Sequence, residues 1–133
     1  MRIAEIMSRE VRLARPTDTV QHAARLMAEI EAGALPVGEG DRLVGMLTDR
    51  DIAVRAVAAG RGPDCPVAEV MTRDVKYVYE DETIDDLARN IAMLQVRRLP
   101  VLSRDKRLVG IVSLSDLAAT PVIEPARDDR KVS

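Results

Sequence analysis

Between Thr19 and Glu31 the apolar residues Val20, Ala23, Ala24, Met27 and Ile30 share one face of a 3.6-residue period. This predicts a helix capped by Thr19 and ended by Gly33. Before it, residues 11–15 alternate weakly and stop at Pro16, as an extended segment before proline should. After it, residues 34–37 read as a short strand and Gly38-Glu39-Gly40-Asp41 as a hairpin turn. Residues 43–47, apolar on both faces, form the next strand, and a second helix runs from about Asp49 to Ala59 and stops at Gly60. That helix carries Ile52, Ala53, Val54, Ala56, Val57 and Ala58, broken only by Arg55. A helix apolar on nearly every side is expected to be covered on every side, by its own sheet and by its twin or a second subunit.

The pattern then repeats. Ala4-Glu5-Ile6-Met7 returns as Ala68-Glu69-Val70-Met71, and Thr19-Val20 as Thr83-Ile84. Leu35-Pro36-Val37 returns as Leu99-Pro100-Val101, and Arg42-Leu43-Val44-Gly45 as Arg107-Leu108-Val109-Gly110. Two units of strand–helix–strand–strand–helix therefore span 1–59 and 65–120, with a linker over 60–64. In the second, Thr83 and Asp86 have capping-box spacing, and Ile84, Leu87, Ala88, Ile91 and Leu94 face inward. Strands over 99–102 and 108–112 flank a turn at 103–106, and a last helix begins near Ser115. Residues 121–133 are polar and read as a disordered tail. Halves this small are marginal alone, so each is expected to bury its apolar face against the other.

Composition narrows the function. The chain has 133 residues with two Tyr, no Phe and no Trp, so its core is built from aliphatic side chains and Met. The formal charge is −2 with both signs interspersed, which offers no basic stripe for nucleic acid. No run of apolar residues is long enough to span a membrane and no leader pattern is present, so a cytoplasmic protein is expected. The single Cys65, at the end of the linker, excludes an internal disulfide and reads as a solvent-exposed thiol. His22 has no second histidine or clustered cysteine, so no metal site is expected. No nucleophile–base pair stands out, which argues against an enzyme.

The ordered set Met7, Thr19-Val20, Gly33-Ala34-Leu35-Pro36-Val37 and Leu43-Val44-Gly45-Met46-Leu47-Thr48-Asp49-Arg50-Asp51 resembles a cystathionine-beta-synthase (CBS) domain. Met71, Arg97-Arg98-Leu99-Pro100-Val101 and Gly110-Ile111-Val112-Ser113-Leu114-Ser115-Asp116 carry the same marks in the second unit. The whole is similar to stand-alone bacterial CBS pairs, or Bateman modules. The resemblance implies an α/β (α+β) fold of two β-α-β-β-α repeats related by a pseudo-twofold axis. It implies a non-enzymatic sensor that binds an adenosine-containing ligand (AMP, ADP, ATP, NAD or S-adenosylmethionine) between the repeats. It also implies a homodimer forming a flat four-repeat disc, with no required cofactor. The alternative is a structural or protein-interaction module with no nucleotide.

Thr48 and Asp51 lie where a strand gives way to a helix, as do Ser113 and Asp116. Exposed N–H groups and a hydroxyl there favour phosphate, and a carboxylate suits the two hydroxyls of a ribose. The same spacing is also that of a capping box, which needs no ligand. Arg50 or Arg55 could reach a phosphate, or simply solvate the helix. Ser115 replaces Arg50 in the second unit, so the Arg50 side is expected to be the better site for a charged nucleotide. Residues 34–37, including Leu35, Pro36 and Val37, and Arg98, Leu99, Pro100 and Val101 would wall a purine, or serve as plain strand core. Adjacent Arg97 and Arg98 should face opposite ways. Leu13 and Tyr77 stand where the family often has a small hydroxylic residue; Tyr77 could stack on a base or plug the cleft. Tyr79 should point the same way as Tyr77 and cover a strand edge.

Overall fold

The structure, a computed structural model, describes residues 1–119. The tail over 121–133 and the end of the second unit lie outside the described residues. Helix α1 (Val20–Ile30) is followed by the antiparallel hairpin β1 (Ala34–Glu39) and β2 (Arg42–Thr48). A single α-helical turn, α2 (Asp49–Asp51), then widens into a π-helical segment, Ile52–Val57. The second repeat runs β3 (Val78–Tyr79), α3 (Ile84–Leu94), the antiparallel hairpin β4 (Arg98–Leu102) and β5 (Leu108–Ser113), and α4 (Leu114–Ala118). Each hairpin carries a register shift at the same place, after Val37 in one and after Val101 in the other.

The opening strand differs between repeats. In the second, Val78 and Tyr79 pair in parallel with Val101 and Leu102, and the Glu80 N–H continues onto the Leu102 carbonyl at 2.9 Å. In the first, the equivalent segment makes a single bridge, Ala14 to Val37. Pro16 stands where Glu80 does and has no N–H to give, so the ladder ends.

The helix caps follow the sequence, but the ends do not. Thr19 accepts the His22 N–H, and Thr83 and Asp86 exchange hydrogen bonds as a capping box. Both helices then close on a left-handed non-glycine residue, Glu31 at φ 55° and Gln95 at φ 54°. Gly33 does not end the first helix; it comes two residues after the turn is already made. Within α1 the buried face is Val20, Ala23, Leu26 and Met27, so Leu26 takes the inward place expected of Ala24.

Each repeat lends its opening residues to the other's core. Ile3 and Met7 pack with Val78, Leu87, Ile91, Leu99, Val101 and Val112. Val67, Val70 and Met71 pack with Ala14, Val20, Ala23, Met27, Leu35, Val37 and Leu47. The backbone repeats the exchange. Ile3 N–H donates to Glu82 at 2.9 Å and Ala4 N–H to Glu80 at 3.0 Å, while Val67 N–H donates to Asp18 at 2.8 Å and Ala68 N–H to Pro16 at 3.0 Å. These pairs interchange under the repeat offset, which is the pseudo-twofold relation made explicit. Cys65 is drawn into the same exchange. Its carbonyl accepts the Val20 N–H at 2.9 Å, and its side chain is only 7% exposed, within the first core. The expected surface thiol is therefore a buried one.

Candidate ligand-binding clefts

The crossing segments bring the candidate residues of one repeat against the other. Ser8 pairs with Ile111 on β5 through two hydrogen bonds of 2.8 and 2.9 Å, and Thr72 with Met46 on β2 through two of 2.8 Å. Beside the first of these pairings lies a cleft of about 230 Å³. Ser8, Glu10, Arg12 and Ala34-Leu35-Pro36 from the first repeat face Arg98, Ile111, Ser113 and Asp116 from the second. Ser8, Glu10 and Arg12 were not singled out from sequence; their signal is the alternation that puts every second residue of an extended segment on one side. The cleft's own charges, Arg12 and Arg98 against Glu10 and Asp116, cancel.

Both candidate turns are capping boxes. Asp51 N–H donates to Thr48 Oγ1 and Thr48 N–H to Asp51 Oδ2, each at 3.0 Å. Asp116 N–H donates to Ser113 Oγ at 3.1 Å and Ser113 N–H to Asp116 Oδ2 at 2.9 Å. In the first turn the remaining N–H groups are also engaged, Asp49 with the Gly33 carbonyl at 2.9 Å and Arg50 with Asp49 Oδ1 at 2.8 Å. The exposed N–H groups anticipated there for a phosphate are therefore satisfied internally, and side chains would have to hold one. The Asp51 carboxylate keeps capacity beyond its cap, since an ionised carboxylate has about four acceptor positions. Asp51 is 12% exposed and its Oδ1 faces Arg55 Nε at 3.9 Å.

The other candidates are spread more widely. Thr48 lines a second hollow of about 420 Å³ with Glu31, Gly33, Ala34, Met46, Val96, Arg97 and Arg98, so Arg98 and Ala34 belong to both hollows. The Arg50 side chain is exposed on the surface of α2. Arg55 reaches toward the carbonyls of Val70 and Met71, at 3.4 Å each. Val37, Leu99 and Val101 are buried in the two cores, and Pro36 and Pro100 are buried within their strands. Leu13 lies against Gly38 and away from the Ser113–Asp116 cleft. Tyr77 lines a third hollow, with Arg42, Arg73 and Lys106. Its ring meets that of Tyr79 edge-on at 5.5 Å, so the two do point the same way.

The two repeats match the CBS domain family over residues 3–57 and 67–122. The chain belongs to that family. It is 42% identical over 116 residues to the CBS domain-containing protein YhcV of Bacillus subtilis, covering 87% of this chain and 82% of YhcV. Among solved structures it is similar to Hypoxic Response Protein I with two coordinated zinc ions, at 39% identity and a TM-score of 0.81, covering 91% of this chain and all of that one. It is also similar to the CBS domain pair of protein MJ0100 in complex with 5′-methylthioadenosine and S-adenosyl-L-methionine, at 28% identity and a TM-score of 0.76, covering 89% and 93% of the two chains.

The molecule is thus a tandem CBS module of the stand-alone bacterial type, with two β-α-β-β-α repeats in pseudo-symmetric arrangement. CBS domains are non-catalytic regulatory modules, and this chain is one rather than an enzyme. CBS pairs related to it bind small ligands or metal ions, which fits a general sensor role. Among the described residues no group of three His, Cys, Asp or Glu side chains gathers in a way that could hold a metal ion. No helix among them is long and apolar enough to cross a membrane.

Proposed function

We propose that this CBS pair is a sensor for an adenosine-containing ligand and that its first site is the Ser113–Asp116 cleft. The observation that carries this reading is the meeting of two parts across one cavity. The Ala34-Leu35-Pro36 strand supplies a thin apolar wall, and the Ser113–Asp116 turn supplies a hydroxyl and a carboxylate, from opposite repeats. The wall suits a purine face and the carboxylate suits the vicinal hydroxyls of a ribose. A ligand seated there touches both repeats, so it biases their packing as far as it binds one arrangement better than another. The binding of 5′-methylthioadenosine and S-adenosyl-L-methionine by the CBS pair of MJ0100 supports the class of ligand.

The balanced charge of the cleft favours nucleosides of low net charge over polyphosphates. Isothermal titration calorimetry with 5′-methylthioadenosine, S-adenosylmethionine, AMP, ADP, ATP and NAD tests this. Heat is expected with the first three and weaker binding with ATP. No heat from any of them at millimolar concentration favours the alternative, a protein-interaction module in which both carboxylates serve only as caps. In the same reading the functional unit is a homodimer, because Val54 and Val57 of the π-helical segment stand 48% and 69% exposed.

A further inference from the structure

The hollow lined by Tyr77 lies apart from the Ser113–Asp116 cleft and shares no lining residue with it. It measures about 400 Å³, within the range of small-molecule sites. We propose that it is a second binding site, for a small phosphate monoester such as a sugar phosphate, held by Arg42, Arg73 and Lys106. Leu43, Val44, Val75 and Leu102 give it an apolar floor on which a carbon skeleton can rest.

Charge singles the hollow out. Three cations and one carboxylate, Asp74, line it, and Asp74 is already turned to Lys76 at 3.5 Å. Among the described residues none of the three cations has a carboxylate partner. Arg73 makes one long bond of 3.3 Å to the Ala68 carbonyl, and Lys106 donates to the Tyr77 hydroxyl at 3.1 Å. The chain as a whole is slightly acidic and pairs many of its other cations, so cations converging without partners leave a local excess. Guanidinium forks and an ammonium group match a phosphate dianion, the forks in bidentate fashion.

The wall is built rather than loose. Asp81 grips Arg104 Nε with both oxygens, at 2.9 and 3.1 Å, and Arg104 lies over the Tyr79 ring at 4.1 Å. Tyr79 abuts Tyr77, and Tyr77 fixes Lys106. This chain of contacts holds Lys106 at the hollow before any ligand arrives, which lowers the entropy lost on binding.

The pseudo-twofold relation sets this hollow apart from its counterpart. At the equivalent place in the first repeat Leu13 replaces Tyr77, and the hairpin turn offers Gly40 and Asp41 rather than a lysine. Arg107, the counterpart of Arg42, is tied to Asp41 and Asp105. The positive, aromatic-walled hollow is thus particular to one side of the module and is not part of the repeated framework.

Tyr77 and Tyr79 are the chain's two tyrosines and it has no tryptophan, so its intrinsic fluorescence reports on the Tyr77 wall of this hollow and on the Tyr79 ring against it. The full chain is titrated with glucose 6-phosphate, with inorganic phosphate, sulfate and glucose as separate arms. A saturable fluorescence change is expected with glucose 6-phosphate, weaker with inorganic phosphate and absent with glucose. Arg42→Gln and Arg73→Gln, which leave the tyrosines and Lys106 in place, are each expected to weaken it at least tenfold. Amide NMR shifts should fall on Asp74 to Tyr77 and on Lys106. No saturable change, equal response to sulfate, unaltered affinity in both variants, or shifts at Ser8, Ser113 and Asp116 instead would each overturn the proposal. Adenosyl ligands are read at those last residues, so the two sites are scored separately.

Discussion

The sulfur of Met7 lies 2.6 Å from the place a β-carbon on Gly110 would occupy, and the Ser8 carbonyl lies 2.9 Å from it. The other repeat copies the contact, with Met71 Sδ at 2.6 Å and the Thr72 carbonyl at 3.0 Å from a β-carbon on Gly45. These glycines are therefore the points at which each opening segment crosses the other repeat's hairpin. The thioether can shift, but the carbonyl is part of a two-way backbone pairing and cannot. Gly110→Ala is expected to lower stability by about 1–3 kcal/mol through overpacking, and Gly45→Ala by a similar amount. Urea denaturation checks this. A cost below about 0.5 kcal/mol at both positions, the size of an ordinary surface change, would show that the crossing is loose.

That crossing also marks the limit of what the sequence could tell. The repeat, the hairpins and the caps at Thr19 and Thr83 were legible, because each rests on local spacing. Ile3, Met7, Val67 and Met71 are visibly apolar, but nothing in local spacing says that each is buried in the core of the opposite repeat. Cys65 failed for the same reason. Its neighbours Gly62, Pro63 and Pro66 read as a linker, yet its carbonyl is bound to Val20 and its thiol enters the first core. The candidate site was half visible. Ser113 and Asp116 followed from their place at a strand end. Ser8, Glu10 and Arg12 reach the same cleft only through the crossing, which is a tertiary fact. Arg50 argued for the other side by charge alone, but its side chain is exposed on α2.

Asp116 has two separable duties in the proposed site, and two substitutions separate them. Asp116→Ala removes both the cap acceptor and the ribose acceptor. It is expected to cost about 1 kcal/mol of stability and about 1–3 kcal/mol of adenosyl-ligand binding. Asp116→Asn keeps an oxygen for the Ser113 N–H, so the cap should hold while the charge-assisted contact to ligand is lost. Calorimetry with 5′-methylthioadenosine and thermal melts on the same samples give both readouts. Asp51→Ala should cost a similar cap and less binding. Greater loss of binding at Asp51 than at Asp116 would place the primary site on the opposite side of the pseudo-twofold axis.

The Tyr77–Lys106 contact makes an alkaline prediction. Tyr79 first, and Lys106 second, hold the Tyr77 hydroxyl below the ordinary tyrosine range, while Tyr77 raises Lys106. A depressed acid stabilises the fold above its unfolded value, near pH 10, and that contribution is lost as pH falls through the folded value. A raised base works the other way. Its contribution is present below the unfolded value, near 10.4, and is lost as pH rises through the folded one. Tyrosinate absorbance of the native chain should therefore begin to rise below the usual range, from Tyr77. Lys106→Gln should move that onset part of the way back, and Tyr79→Phe further. No rise below the ordinary range in the native chain would show that the contact does not hold in solution.

The π-helical segment Ile52–Val57 leaves the clearest unanswered demand of the fold. Its inner side is settled, since Ala56 is buried and Arg55 reaches the Val70 and Met71 carbonyls. Its outer side is not, since the intrachain twin leaves Val54 and Val57 exposed. Met93 and Leu114, in the second repeat, are also exposed. Apolar area left in water is unfavourable by roughly 25 cal/mol per Å², so a second copy laid on this face gains what a single chain cannot. Val57→Asp would place a charge there at little cost to the single chain, because the side chain touches solvent already. Sedimentation velocity should show the parent chain as a dimer and the variant shifted to monomer, with an unchanged far-ultraviolet spectrum. A dimer that survives Val57→Asp and Val54→Asp together would place the subunit contact elsewhere on the module.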